Sequence, residues 1–164
     1  MEGDALYPLN VLKEAYPELY AQYVKKYEGR ERVMDQFIPT LGCLWNDVLH
    51  LSAVPPQVVK NALMEAGRQS DLKMACYEID PHLLDPEKAT VYLHVASGAD
   101  KMKENNFASF NPDEVGKYSF LPQETKDYYK EIYSKGGKPL VFHKVVHILY
   151  KGSINIKDCP IVEV

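Results

Sequence analysis

Apolar positions along the chain fall into short runs with two different periods. Three segments carry the three-to-four-residue spacing of a half-buried helix. The N-terminal stretch 7–39 reads as helical. Tyr7-Pro8 and Tyr16-Pro17 each place Pro where a helix can begin, because its missing N–H is not needed in the first turn. From Pro17 the helix is expected to reach about Glu28, with Gly29 as its stop. Tyr16, Tyr20, Tyr23 and Tyr27 lie on it within an arc of about 60°. A shorter helix should follow, with Val33, Met34, Phe37 and Ile38 on one face and Pro39 at its end. Pro55-Pro56 opens a helix to about Ala66, capped by Gly67. The last runs from Pro122 to about Lys135 and stops at Gly136-Gly137.

Between these the period drops to two, the mark of a strand with one wet face. Leu44 to Val54 alternates from Val48 onward, with Leu49, Leu51 and Ala53 opposite His50 and Ser52. Leu72 to Ile79 is a second strand. In Thr90 to Val95, Val91, Leu93 and Val95 oppose Thr90, Tyr92 and His94. Leu140 to Tyr150 reads as one long strand, followed through Lys151-Gly152 by Ser153 to Ile156. Ile161 to Val164 is a last short strand. The order α-α-β-α-β-β-α-β-β predicts one α+β domain over residues 1–164, a mostly antiparallel sheet of about five strands with helices packed on one face. Gly98 to Phe120 has no sustained period, and reads as a lid or irregular segment, or as hiding a strand at Phe107 to Phe110.

Composition narrows the class of protein without identifying it. The chain has 164 residues, 46% hydrophobic and 26% charged, with a formal charge of −4. Residues 1–82 carry 8 basic and 12 acidic side chains, and residues 83–164 carry 11 of each. Neither half has the basic excess that phosphate backbones require, so nucleic acid is not the expected partner. No apolar run is long enough for a membrane helix, and the acidic start Met1-Glu2-Gly3-Asp4 leads into no signal-like stretch. Cys43, Cys76 and Cys159 are odd in number and form no Cys-x-x-Cys, which suits free thiols in a reducing, cytoplasmic setting.

The candidate chemistry lies in the histidines. His143 and His147 are four apart, so they share a face in a strand and nearly so in a helix. His50 and His94 sit on the more polar side of their strands. Imidazole is the one side chain that exchanges a proton near neutral pH, and its neutral form ligates metals. Asp47 or Glu78 would be an orienting acid. His-x-x-x-His lacks the Glu of a zinc-protease helix, so no metal is expected, and no cofactor is implied. Trp45-Asn46-Asp47 reads first as an Asx turn and second as a pocket lining. Ser52 and Cys76 lack an activating turn. Ser134 to Pro139 is Gly-rich and basic, but it closes a helix, whose C-terminus repels anions.

Two function classes follow. In the first, the chain binds a small molecule, or is a small enzyme, in a pocket between the polar sheet face and residues 98–120. His143, His147 and His50 are then the acid–base groups, with Tyr92, His94 and Tyr118 as substrate contacts. In the second, the chain is a non-catalytic interaction subunit or adaptor. Its tyrosine-bearing helices, including Tyr128, Tyr129 and Tyr133, form the contact surface, with a homodimer as one outcome.

Overall fold

Proline and glycine set the helix boundaries as expected. The computed structural model describes residues 3–68, 72–94 and 102–164. Among them are four α-helices: α1 (Leu9–Ala15), α2 (Pro17–Tyr23), α3 (Pro56–Glu65) and α4 (Gln123–Ser134). The ends of α3 and α4 show why glycine stands there. Gly67 and Gly136 take φ of 112° and 73°, a region that costs glycine nothing. Arg68 N–H then reaches Leu63 O at 2.9 Å, and Gly137 N–H reaches Ile132 O at 2.9 Å. Both are Schellman closures that satisfy end carbonyls.

The strands, in chain order, are β1 (Ala5–Leu6), β2 (Phe37–Ile38), β3 (Cys43–Leu44), β4 (Leu49–Leu51), β5 (Ala75–Tyr77), β6 (Ala89–Tyr92), β7 (Phe107–Ser109), β8 (His147–Tyr150), β9 (Ile154–Asn155) and β10 (Ile161–Glu163). Every described pairing is antiparallel. The fold is therefore mixed α+β. The largest sheet, however, has four strands in the order β4-β8-β6-β7, not five. The other strands form two-stranded ribbons: β1–β9, β2–β3 and β5–β10. Nor do the helices share one face. α3 and α4 close around Val59, Leu63 and Tyr129, with Val54 and Val145 between them. α1 and α2 pack around Leu9, Leu12 and Tyr27 and reach Trp45.

The expected long strand from Leu140 is a strand only at its end. Residues 141–144 form a turn, with Lys144 at a φ of 57°. Side chains of α4 hold that turn: Thr125 Oγ1 donates to His143 O at 2.9 Å, and Tyr129 Oη donates to Val141 O. These bonds satisfy backbone groups that a strand would have paired. The expected helix over Val33 to Ile38 is also absent. Phe37 and Ile38 instead pair with Leu44 and Cys43 across the turn 39–42, where Gly42 has a φ of 58°. In the described part of 98–120, Phe107–Ser109 joins the sheet as β7, and Pro112–Tyr118 is a 3₁₀ segment. Residues 95–101 lie outside the described set, and with them part of the expected lid and the end of the expected strand to Val95.

Register decides which residues share a sheet face. His147 pairs with Tyr92, Leu149 with both His50 and Thr90, and Tyr92 with Phe107. Paired residues project to the same side. One face is therefore His50, His147, Leu149, Thr90, Tyr92 and Phe107, covered by Ile38, Cys43 and Trp45 from the β2–β3 hairpin and the turn after it. The other is Leu49, Leu51, Val91, Ile148 and Tyr150, covered by Leu84, Phe110 and Ile154. Tyr16, Tyr20 and Tyr27 of the tyrosine stripe pack into the α1–α2 cluster, with Tyr27 buried at the end of a 3₁₀ segment over Val24–Tyr27. Tyr23 is 44% exposed. Among the described residues no helix is long and apolar enough to cross a membrane.

Candidate functional site

The register brings together four of the five histidines. His50 and His147 are diagonal neighbours on β4 and β8, with ring centroids 6.2 Å apart and nearly perpendicular. His94 follows β6 at a φ of 55°, which ends the strand's alternation. Its ring lies 5.5 Å from Tyr92 and 5.8 Å from His143. His143 rests on Tyr128 of α4 at 4.1 Å. Trp45 joins the two pairs, 4.4 Å from His50 and edge-on to Tyr92 at 5.5 Å. Phe142 closes the far side of His147 at 6.4 Å.

The sites expected from sequence thus divide. His50, His147, Tyr92, His94 and His143 form one chain of rings, although His143 comes from a turn and not from the strand that carries His147. Tyr118 does not join them. It packs on the aliphatic face of the sheet, beside Lys117, whose ammonium lies 5.2 Å from its ring centroid. Neither expected acid orients an imidazole. Asp47 serves its own turn, accepting from Leu44 N–H and Asn10 Nδ2, each at 2.7 Å. Glu78 makes no hydrogen bond to a histidine among the described residues, and it lines a cavity instead.

Backbone carbonyls do the orienting. His50 Nε2 lies 3.0 Å from Trp45 O, and His147 Nδ1 lies 2.7 Å from Val145 O. A carbonyl only accepts, so those nitrogens carry the protons. The neutral rings then keep a lone pair on His50 Nδ1 and His147 Nε2. Burial depresses both rings' basicity, to a pKa of about 3 for His50 and about 4 for His147, and the neighbouring imidazole adds to the effect on His50. His94 and His143 are lowered in the same direction, also chiefly by burial. For His94 a nearby Glu124 works the other way, but Glu124 is itself held in an ion pair with Lys144 at 2.8 Å. Among the described residues no three of His, Cys, Asp and Glu gather as a metal-ligating group.

A cavity of about 550 Å³ opens beside β4, an edge strand of the sheet. Its walls are residues 50–54, the Pro55-Pro56 start of α3, and Met74, Cys76 and Glu78 with Val162 across the β5–β10 ribbon. Leu84, Val115, Gly116 and Phe142 complete it. Part of the 98–120 segment does border a pocket, then, but at the sheet edge and not over the polar face, which the hairpin and Trp45 already fill. His50, Ser52, Cys76, Tyr77 and Glu78 are its polar members. All three cysteines are free thiols. The ribbon wall was hidden from sequence reasoning, because the alternation in 72–79 gives a strand but not its partner. Comparison with known proteins adds nothing to this geometry: no family model, no curated protein and no solved structure matches the chain.

Proposed function

We propose that the protein binds a small, mostly apolar organic molecule in the cavity beside β4, with His50 as its hydrogen-bonding anchor. The observation that carries this reading is the cavity itself. Its volume of about 550 Å³ falls in the range of small-molecule sites, and its walls are apolar apart from a few polar groups. Between binding and acid–base catalysis, the state of the rings favours binding. A general acid or base works best with a pKa near the working pH. His50 and His147, at about 3 and about 4, are neutral at pH 7 and hold a proton weakly. A desolvated neutral imidazole is instead a good acceptor for a ligand hydroxyl, and His50 Nδ1 offers that lone pair. The less depressed pair, His94 and His143, stands at the other end of the ring chain.

The test uses 1-naphthol, an apolar probe with one hydroxyl, followed by ligand-observed NMR and titration calorimetry. Wild type should bind it with a micromolar dissociation constant. Val162→Trp, which fills the cavity from the ribbon side, should abolish binding while circular dichroism stays native. Binding that survives the filled cavity would overturn the reading.

A further inference from the structure

The pairing of β4 leaves the main chain of one residue without a partner. In an antiparallel ladder, hydrogen-bonded and non-bonded residue pairs alternate. Lys151 N–H donates to Lys88 O at 2.8 Å, so these two form a bonded pair. Continuing along the register, Thr90 with Leu149 and Tyr92 with His147 are bonded pairs as well. His147, Leu149 and Lys151 therefore turn their N–H and C=O groups to β6, and Ile148 and Tyr150 turn theirs to β4. On β4 those bonds go to Leu51 and Leu49, while His50 stands in a non-bonded pair with Leu149. The N–H and C=O of His50 thus point away from the sheet. β4 is an edge strand, and among the described residues neither group has a hydrogen-bond partner.

Open space runs along that edge. The cavity of about 550 Å³ is walled by consecutive residues from His50 to Val54. A strand that shows one face to a cavity lines it with every second residue, whereas consecutive residues mean that the edge is turned to it. A smaller cavity, of about 240 Å³, follows the same strand through Val48, Leu49 and His50, and Leu6 borders both. Backbone groups away from water are nearly always paired, so an N–H and a C=O on one edge residue suit an occupant with the complementary pair. Two further groups narrow its chemistry. Ser52 Oγ accepts from Val54 N–H at 3.1 Å, which leaves the hydroxyl proton for a ligand carbonyl. Glu78 is the one carboxylate in the wall of the larger cavity, and among the described residues it makes no ion pair. No lysine or arginine shares that wall. A ligand carboxylate would meet a like charge there, and an ammonium would gain a partner.

We propose that the ligand of the larger cavity is a short apolar peptide with a free amino end and no free carboxylate, which adds to β4 as a strand. One residue of the peptide exchanges N–H and C=O bonds with His50, its ammonium meets Glu78, and its side chains alternate between the apolar walls. The inference rests on the reading of this cavity as a ligand site and gives the ligand's class.

The full chain is titrated with leucyl-leucinamide, by calorimetry and by NMR of the isotopically labelled protein. Wild type should bind it with a micromolar dissociation constant, and exchange of the His50 amide with solvent should slow about tenfold in the complex. Methylating the nitrogen of the peptide bond removes the donor to His50 O and should weaken binding about tenfold. Leucyl-leucine, which ends in a carboxylate, should bind about tenfold worse than the amide, and Glu78→Gln should erase that gap. Val162→Trp should abolish binding of every peptide. An N-methylated peptide that binds like its parent, or a His50 amide whose exchange does not slow, would overturn the proposal. Binding of 1-naphthol without binding of the peptide would overturn it too, and would leave the apolar-ligand reading standing. Failure of both probes would overturn both.

Discussion

Strands β4, β8, β6 and β7 present Leu49, Leu51, Val91, Ile148 and Tyr150 on one face, and His50, His147, Thr90, Tyr92 and Leu149 on the other. Both faces are buried or half-buried, on the same backbone and in the same register. They differ in how burial is stabilised. On the aliphatic face, removal of apolar area from water suffices at any pH. On the histidine face, burial holds only while the imidazoles stay neutral and their N–H groups stay paired to Trp45 O and Val145 O. The one face is a core. The other is a core that must exclude protons.

The sharpest way to break this contrast is on the aliphatic side. Ile148 is 4% exposed in the middle of the main cluster. Ile148→Ala should cost about 3 kcal/mol, combining lost transfer energy and a residual cavity. Urea unfolding at neutral and at mildly acidic pH should give the same loss. A loss that grew in acid would mean that the two faces are not independent.

The matching effect on the histidine face depends on pH. His50 and His147 have folded pKa values of about 3 and about 4, below the unfolded value of about 6.5. On acidification the unfolded chain therefore takes up protons first. The stability linked to these rings is complete above about pH 6.5 and drains away as the pH falls towards the folded values. A tenfold difference in proton affinity between the folded and unfolded chain is worth about 1.4 kcal/mol, so the two rings together make a loss of several kcal/mol. The urea midpoint of wild type should fall steeply between about pH 6.5 and 4. The double variant His50→Gln/His147→Gln should have a flatter profile in that window, whatever its stability at neutral pH. An equally steep profile would show that other groups cause the acid sensitivity.

How much of this was legible in the sequence follows the range of the forces involved. Helices α3 and α4 fell within a residue or two of their expected ends, because Pro and Gly act locally. The two-residue period correctly set His50 and Tyr92 against Leu49 and Val91. What failed were the stretches where a distant partner decides. Leu140 to Val146 alternates enough to suggest a strand, but hydroxyls on α4 capture its carbonyls. Phe37 and Ile38 carry a helical spacing, but Gly42 lets them fold back on β3. The convergence of the histidines needed the strand order β4-β8-β6, which no single strand encodes. The ring contacts on Trp45 and Tyr128 were equally out of reach.

A smaller effect tests the cover of the histidine face. Thr90 is 3% exposed. Its hydroxyl donates to Ala108 O at 3.2 Å and accepts from Thr40 Oγ1 at 3.1 Å. Thr40 sits in the β2–β3 turn, so this contact fastens the hairpin to the sheet. Thr90→Val should cost about 1 kcal/mol, the usual net worth of a buried hydrogen bond. In a double-mutant cycle, Thr40→Ala should add less to Thr90→Val than it costs alone. Strict additivity would mean that the hairpin is held by packing only.

The smallest effect has the opposite sign and comes from the histidine outside the cluster. His82 bridges two segments, its Nδ1 2.9 Å from Asp80 Oδ1 and its Nε2 3.1 Å from Asp113 Oδ1. Its pKa is raised, first by the Asp80 hydrogen bond and then by Asp113. A raised folded value reverses the linkage. The clasp contributes fully below the unfolded pKa of about 6.5 and is lost as the pH climbs through the folded value. The side chains are well exposed, so salt should weaken it. In an NMR titration the His82 ring should protonate at higher pH than any other histidine, and high salt should move it back towards the ordinary value. His82→Ala should lower the melting temperature slightly in acid and not at all in base. Pro81 and Leu84 on one side of the clasp, and Val115 and Gly116 on the other, wall the larger cavity. The same variant should therefore speed 1-naphthol release most at mildly acidic pH. A His82 that titrates with the buried histidines would leave the cavity wall unclasped and remove that dependence.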